Sequence, residues 1–238
     1  MIRAGLGNAQ PDRMLDMDVL AADFSAARHF MVDGQIRPNR VSDPRLLKAM
    51  REIPRERFLP PHLAPLAYID ADVDLGDGRV LMEPLAIARL AQLAAVREGE
   101  KALVVGAGTG YGAALLAACG ASVTALEEDA RLCDIARPAL AAYAASVRLV
   151  AGRLAEGWAE GAPWDVVLIQ GAAPAVPAAL AEQVRPASGR LVGVLAGRGR
   201  TGSAVLGERT AAGLTLRPVF DCATAVLPPL LARAGFVF

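Results

Sequence analysis

"ALVVGAGTGYGAALLA", residues 102–117, decides the fold. An apolar run breaks at Gly106, glycines recur at 108 and 110, and a helix-like pattern follows. That order reads as a strand, a tight turn whose backbone can lie against a ligand, and a helix N-terminus.

Downstream of this unit strands and helices alternate. "YGAALLAAC" is helical and stops at Gly120, a suitable left-handed terminator. "SVTALEED" is a strand ending in acid, and "ARLCDIARPALAAYAA" a helix that Pro138 is expected to kink or split. "VRLVAG", "WDVVLIQGA" and "GRLVGVLA" are further strands, with the helix "PAALAEQV" between the last two and Pro177 at its first position. Near-continuous apolar strands between helices indicate a parallel sheet covered on both faces. Beyond residue 200, "SAVLGER" and "LTLRPVFD" read as a closing antiparallel pair broken at Gly213.

Upstream, "SDPRLLKAMREIP" is a helix capped by Ser42 or Asp43, opened by Pro44 and ended by Pro54. Leu46, Leu47, Met50 and Ile53 form its apolar face. "PRERFLPPHLAPLAYIDADVDLGDG" reads as a proline-rich loop, and "EPLAIARLAQLAAV" as a helix. The expected organisation is a loose tail over 1–16, a helical cap over 17–79 that covers the ligand site, and an α/β domain over 80–238. That domain is a Rossmann-like sheet, mostly parallel with an antiparallel C-terminal strand and helices on both faces.

Composition narrows the function. Lys+Arg and Asp+Glu both number 25, so no basic field favours nucleic acid. The chain is 54% hydrophobic, much of it alanine, yet no apolar run is long enough to suggest a membrane span. The N-terminus lacks the apolar core of a signal peptide. Cys119, Cys133 and Cys222 share no metal-like spacing and suit a reducing cytoplasm. His29 and His62 are too few and too isolated for a metal site.

The ligand is read from the glycines. Gly106, Gly108 and Gly110 spell G-x-G-x-G, whereas the dinucleotide fingerprint needs a glycine where this chain has Tyr111. The pattern instead resembles motif I of class I S-adenosylmethionine methyltransferases. Under that resemblance Gly106, Ala107, Gly108, Thr109 and Gly110 lie against the cofactor. Glu127, ending the next strand about twenty residues on, accepts hydrogen bonds from its ribose, with Glu128 as the fallback.

More of the chain falls into line. "MVDGQI", "SDPRLLKAMREIPRERFLP", "AYIDADVDLG", "VVGAGTGYGAALLA", "VTALEED" and "WDVVLIQGAAPAVPAAL" together resemble the protein-L-isoaspartate O-methyltransferase family, over residues 24–193. The resemblance implies S-adenosylmethionine-dependent methylation of isoaspartyl carboxylates in a protein or peptide acceptor, a protein-repair activity. It implies a monomer or homodimer with no nucleic-acid or membrane partner. It also implies that Arg153 and Leu154, after the third strand of the domain, complete the cofactor site. Tyr68 and Asp70 fall in the family's approach loop to the active site.

Two departures bear on the chemistry. Where the family has a Ser-x-Pro segment, this chain has Met82, Glu83 and Pro84; where it has Gly-Asp, this chain has Gly152 and Arg153. A missing serine costs orientation, about 1–3 kcal/mol for one interaction. Glu83 allows two readings. It sits harmlessly at the start of a helix, or it faces the pocket, where it repels an anionic acceptor and suits a neutral nucleophile as a base. Arg153 either stacks on the purine or is a solvated surface residue. Three functions therefore stand open: an isoaspartyl methyltransferase, a relative with a changed substrate, and a non-catalytic module that binds S-adenosylmethionine.

Overall fold

The computed structural model describes residues 24–197 and 201–231; the tail expected over 1–16 lies outside them. A seven-stranded sheet forms the centre, in the order β5-β4-β3-β6-β7-β8-β9. Its strands are β3 (Lys101–Val105), β4 (Ser122–Glu127), β5 (Arg148–Ala151), β6 (Val166–Ala173), β7 (Arg190–Leu195), β8 (Gly202–Thr210) and β9 (Gly213–Cys222). From β5 to β7 all neighbours are parallel, and β8 and β9 close the sheet as an antiparallel hairpin.

The sheet is covered on both faces because its strands are apolar on both. In β3, Ala102 and Val104 belong to one buried cluster and Leu103 and Val105 to the other. The first cluster holds α1 (Pro44–Glu52), α2 (Pro84–Ala94), α3 (Tyr111–Ala118) and α4 (Ala130–Tyr143); the second holds α5 (Ala178–Gln183). β3 is central, with β4 on one side and β6 on the other. The chain leaves β3 towards β4 and β5 and returns to β6, so the β3/β6 pair is the topological switch point. In open α/β sheets ligands bind in the crevice beyond the strand ends there.

Helix α1 is opened as read, with Asp43 Oδ1 accepting from Arg45 N at 2.9 Å and Pro44 at its first position. Leu46, Met50 and Ile53 are buried beneath it. Tyr111, which stands where a dinucleotide site would have glycine, is buried at the start of α3. Its ring lies edge-on to Phe58 at 5.4 Å and under the Arg55 guanidinium at 4.9 Å, so it locks the cap onto the turn.

Three local expectations are corrected. Pro138 does not split its helix: α4 runs unbroken from Ala130 to Tyr143, held by the buried face of Leu132, Ala136 and Leu140. Pro177 is the residue before α5 rather than its first. The stretch read as a proline-rich loop carries short 3-10 turns and a hairpin, β1 (Val73–Gly76) and β2 (Arg79–Leu81). Asp77 and Gly78 join the two strands, both left-handed at φ 54° and 71°, the two-residue turn for which Asp-Gly is a signal. The expected boundary at residue 79/80 therefore runs through β2.

Candidate active site

The glycine turn is built by backbone geometry. Gly106 and Gly108 adopt φ of 70° and 59°, where a side chain would be strained. Gly106 N and Ala107 N both donate to Leu126 O, at 3.0 and 3.1 Å, which ties the turn to the end of β4. That brings Glu127 beneath it. Thr109 Oγ1 is buried in the turn with no hydrogen-bond partner among the described residues.

Glu127 is fully buried and its carboxylate is saturated. Oε1 accepts from Arg79 Nη1 at 2.7 Å, Glu128 N at 2.9 Å and Asp129 N at 3.0 Å. Oε2 accepts from Arg79 Nη2 and Gly108 N, both at 2.7 Å. Arg79, itself buried, is thus bidentate on Glu127, the strongest geometry for such a pair. Leu154 is buried beside Gly106, and its N donates to Glu128 Oε2 at 2.8 Å. Arg153 is exposed and paired with Glu156 at 2.9 Å.

On the other side of the crevice a cavity of about 550 Å³ is lined by Asp70, Asp72, Glu83, Ala172, Thr224 and Val226 among others. Glu83 stands both at a helix start and on the wall of the cavity. It is the N-cap of α2, but its side chain caps nothing. Burial pushes its carboxyl above the ordinary value of 4.5, and the charges of Asp70 and Asp72 and a hydrogen bond with Asp70 push further the same way. Asp72 Oδ1 accepts from Glu83 N at 2.7 Å, while its Oδ2 accepts from Thr224 Oγ1 at 2.9 Å. Among the described residues no group of His, Cys, Asp and Glu is placed to hold a metal ion.

Met82, expected beside Glu83 at the reacting centre, is buried in the core and does not line the cavity. Its carbonyl accepts from Arg55, a wholly buried arginine whose Nε also donates to Ala67 O at 2.7 Å. Burial draws the Arg55 guanidinium below its ordinary value. Tyr68 donates to Glu56 and is buried, and burial raises its hydroxyl well above the ordinary value. Arg55, Arg79 and Asp72 were not singled out from sequence. Arg55 lies inside the quoted "IPRERF" segment, which gave it no chemical role.

Sheet order, glycine turn and acid at the end of β4 define a class I methyltransferase, whose cofactor is S-adenosylmethionine. The residue set fits that group: left-handed glycines leave backbone exposed, and a Cβ at Gly108 would meet its neighbours only at 4.0 Å. The arrangement of two side chains does not fit it. Arg79 takes the carboxylate that would receive the ribose, and Leu227 lies on Gly106, where a Cβ would come within 2.9 Å of its Cδ1.

Comparison with known proteins agrees. The model of the family described as protein-L-isoaspartate(D-aspartate) O-methyltransferase matches residues 27–206. A protein-L-isoaspartate O-methyltransferase of Methylorubrum populi is 42% identical over 167 residues, covering 70% of this chain and 78% of the relative. A second, from Rhodopseudomonas palustris, is 39% identical over 173 residues, covering 72% and 70%. A solved protein-L-isoaspartate O-methyltransferase superposes with a TM-score of 0.67 at 24% identity, over 78% of this chain and 61% of its own. A putative one from Plasmodium falciparum, in complex with S-adenosyl-L-homocysteine, gives 0.69 at 16% identity, over 85% and 98%. The chain belongs to the protein-L-isoaspartate O-methyltransferase family.

Proposed function

We infer that the chain is an S-adenosylmethionine-dependent methyltransferase that esterifies isoaspartyl carboxylates in proteins. The observation that carries this reading is the family match over 27–206, which spans the glycine turn, Glu127 and the three carboxylates of the cavity. S-adenosylmethionine supplies a methyl group on a sulfonium, a good leaving group. The acceptor carboxylate is already a nucleophile, so the protein's task is placement in a dry site.

Residues of this chain divide that task. The turn at 106–110 and Glu127 support the cofactor side, with Leu154 beside them; Arg153, exposed and paired with Glu156, does not join them. Arg55 fixes the backbone at Met82, and Asp72 fixes it at Glu83. These bonds aim the Glu83 carboxyl at the cavity. Burial, and then the charges of Asp70 and Asp72, push the Glu83 carboxyl above its ordinary value, which favours its neutral form and eases the repulsion from the wall. A bare carboxylate 4 Å from an anionic acceptor would oppose it by about 4 kcal/mol at an effective dielectric near 20.

A second reading has one observation in its favour: three carboxylates line the cavity. A neutral nucleophile would suit them, with Glu83 accepting its proton. In either case the reading places the chain in the cytoplasm, where its three cysteines, all free and buried, stay reduced. No helix among the described residues is long and apolar enough to cross a membrane.

The test is incubation with methyl-labelled S-adenosylmethionine and an isoaspartyl peptide beside its aspartyl twin. Base-labile methyl ester on the isoaspartyl peptide alone is the expected outcome. Label on neither peptide overturns the isoaspartyl reading.

A further inference from the structure

We propose that the groove between α2 and β9 docks an acidic side chain of the acceptor protein, a few residues from its isoaspartyl group. This rests on the reading of the chain as an isoaspartyl methyltransferase.

The groove, of about 320 Å³, is lined by Arg40, Arg89, Gln92, Leu93, Val219 and Phe220. Arg89 stands over the Phe220 ring, its Cζ 3.7 Å from the ring centroid. Such stacking fixes the plane of a guanidinium and leaves the donors on its edge for a partner. A carboxylate matches that edge with two parallel hydrogen bonds. Arg40 is exposed, and Gln92, one helical turn beyond Arg89, pins its backbone. Gln92 Nε2 donates to Arg40 O at 2.9 Å, while its Oε1 accepts from Ser42 N at 2.6 Å and Asp43 N at 3.1 Å. Among the described residues neither Arg40 nor Arg89 is in an ion pair, whereas Arg45, Arg51 and Arg190 each have a carboxylate partner. Two positive charges beside an aromatic ring call for an anionic partner.

The groove continues the acceptor cavity along the same two elements. Glu83, on the cavity wall, caps α2, and Arg89, Gln92 and Leu93 follow on that helix. Val219 and Phe220 lie on β9, which leads into Ala223 and Thr224 on the same wall. Helical rise puts Arg89 about 9 Å along from Glu83, and strand rise separates Phe220 from Ala223 by about 10 Å. An extended peptide covers either distance in about three residues. Cys222, between Phe220 and Ala223 in the chain, lies within reach of both sites. Burial pushes its thiol up to about 11, and the charges of Asp72, Glu83 and Arg89 all act on it.

The charge pattern fixes the chemistry of the partner. Asp70, Asp72 and Glu83 oppose a second carboxylate inside the cavity, while Arg40 and Arg89 receive one outside it. An acceptor with an acidic side chain at that remove satisfies both conditions, and one with a lysine there meets two like charges.

The test is steady-state methylation of isoaspartyl peptides that differ only by glutamate or glutamine placed two, three or four residues before or after the isoaspartyl residue. At one placement glutamate should raise kcat/KM by about fivefold, the upper range for an exposed charge pair. The gain should lie in KM, because the groove does not touch the reacting atoms, and it should fade with added salt. The glutamate-to-glutamine ratio is taken within each variant, so differences in the amount of folded enzyme cancel. Arg89→Gln and Arg40→Gln should each lower that ratio, Arg89→Lys should keep most of it, and Arg89→Glu should turn the preference to a lysine peptide. A wild-type ratio of one at every placement, or a preference that survives Arg89→Gln combined with Arg40→Gln, would overturn the docking site and leave the isoaspartyl reading standing. A ratio of one together with a dimer that the two glutamine substitutions dissolve in sedimentation would overturn it by giving the groove to a second copy of the chain. Methyl ester on none of the peptides would overturn the isoaspartyl reading and the docking site with it.

Discussion

The two sides of the crevice each present a glutamate, and their surroundings give them opposite characters. On the cofactor side Glu127 is fully buried, yet Arg79 and three backbone N–H groups meet its charge. On the acceptor side Glu83 is only partly buried, yet that burial, and then the charges of Asp70 and Asp72, push its carboxyl above the ordinary value. The difference lies in what meets each carboxyl: donors surround one, and burial and like charges press on the other.

The cofactor side should break hardest. Glu127→Ala leaves Arg79 buried and unpaired, and breaking a buried pair from one side costs about 3–5 kcal/mol. Chemical denaturation should show that loss. Glu127→Leu combined with Arg79→Leu should recover part of it, because no uncompensated charge remains while the N–H groups of Gly108, Glu128 and Asp129 still lose their acceptor. Equal instability in single and double variants would mean that the pair is not a unit.

Asp72 should come next. Asp72→Ala removes acceptors from Glu83 N and Thr224 Oγ1, an expected loss of about 1–3 kcal/mol. It also removes one of the charges that hold the Glu83 carboxyl up, so Glu83 should titrate lower in this variant by NMR.

Glu83 should give a smaller, pH-dependent effect. Its folded value lies above the ordinary 4.5, so the folded state binds the proton more tightly than the unfolded chain. Its contribution is intact below 4.5 and is lost as pH rises from there through the folded value. Thermal midpoints of wild type should fall across that window relative to Glu83→Gln. The smallest effect is expected at Arg153. Its pair with Glu156 is solvent-exposed, so Arg153→Ala should change stability by less than about 0.5 kcal/mol and leave S-adenosylhomocysteine affinity unchanged.

Much of the cofactor side was legible because its signals are local. An apolar strand, glycines at alternate positions and an acid closing the next strand occupy one short βαβ unit, and β3, the turn and Glu127 stand where that pattern put them. The Asp77-Gly78 turn was equally local, but the prolines around it drew the reading towards loop. The long-range contacts around the crevice were not legible for a physical reason. Arg79 meets an acid 48 residues away, Thr224 meets Asp72 across 152, and Leu227 lies against Gly106, which precedes it by half the chain. Glu83 was visible as a departure from the family pattern. Its side-chain direction was not, because that depends on Asp72 holding its backbone N–H.

The contrast between the two glutamates is tested most directly by the pH profile of isoaspartyl-peptide methylation, wild type beside Glu83→Gln. Between the peptide's own carboxylate range and the raised value of Glu83, the acceptor is anionic while Glu83 still holds its proton. Wild-type activity should therefore fall as pH climbs through that raised value. The fall should appear chiefly in KM, because repulsion acts as soon as the anion binds. Glu83→Gln should stay flat across the same range and exceed wild type at its upper end. Superimposable profiles would contradict this account, and a variant slower than wild type at every pH would contradict it by making Glu83 a working base.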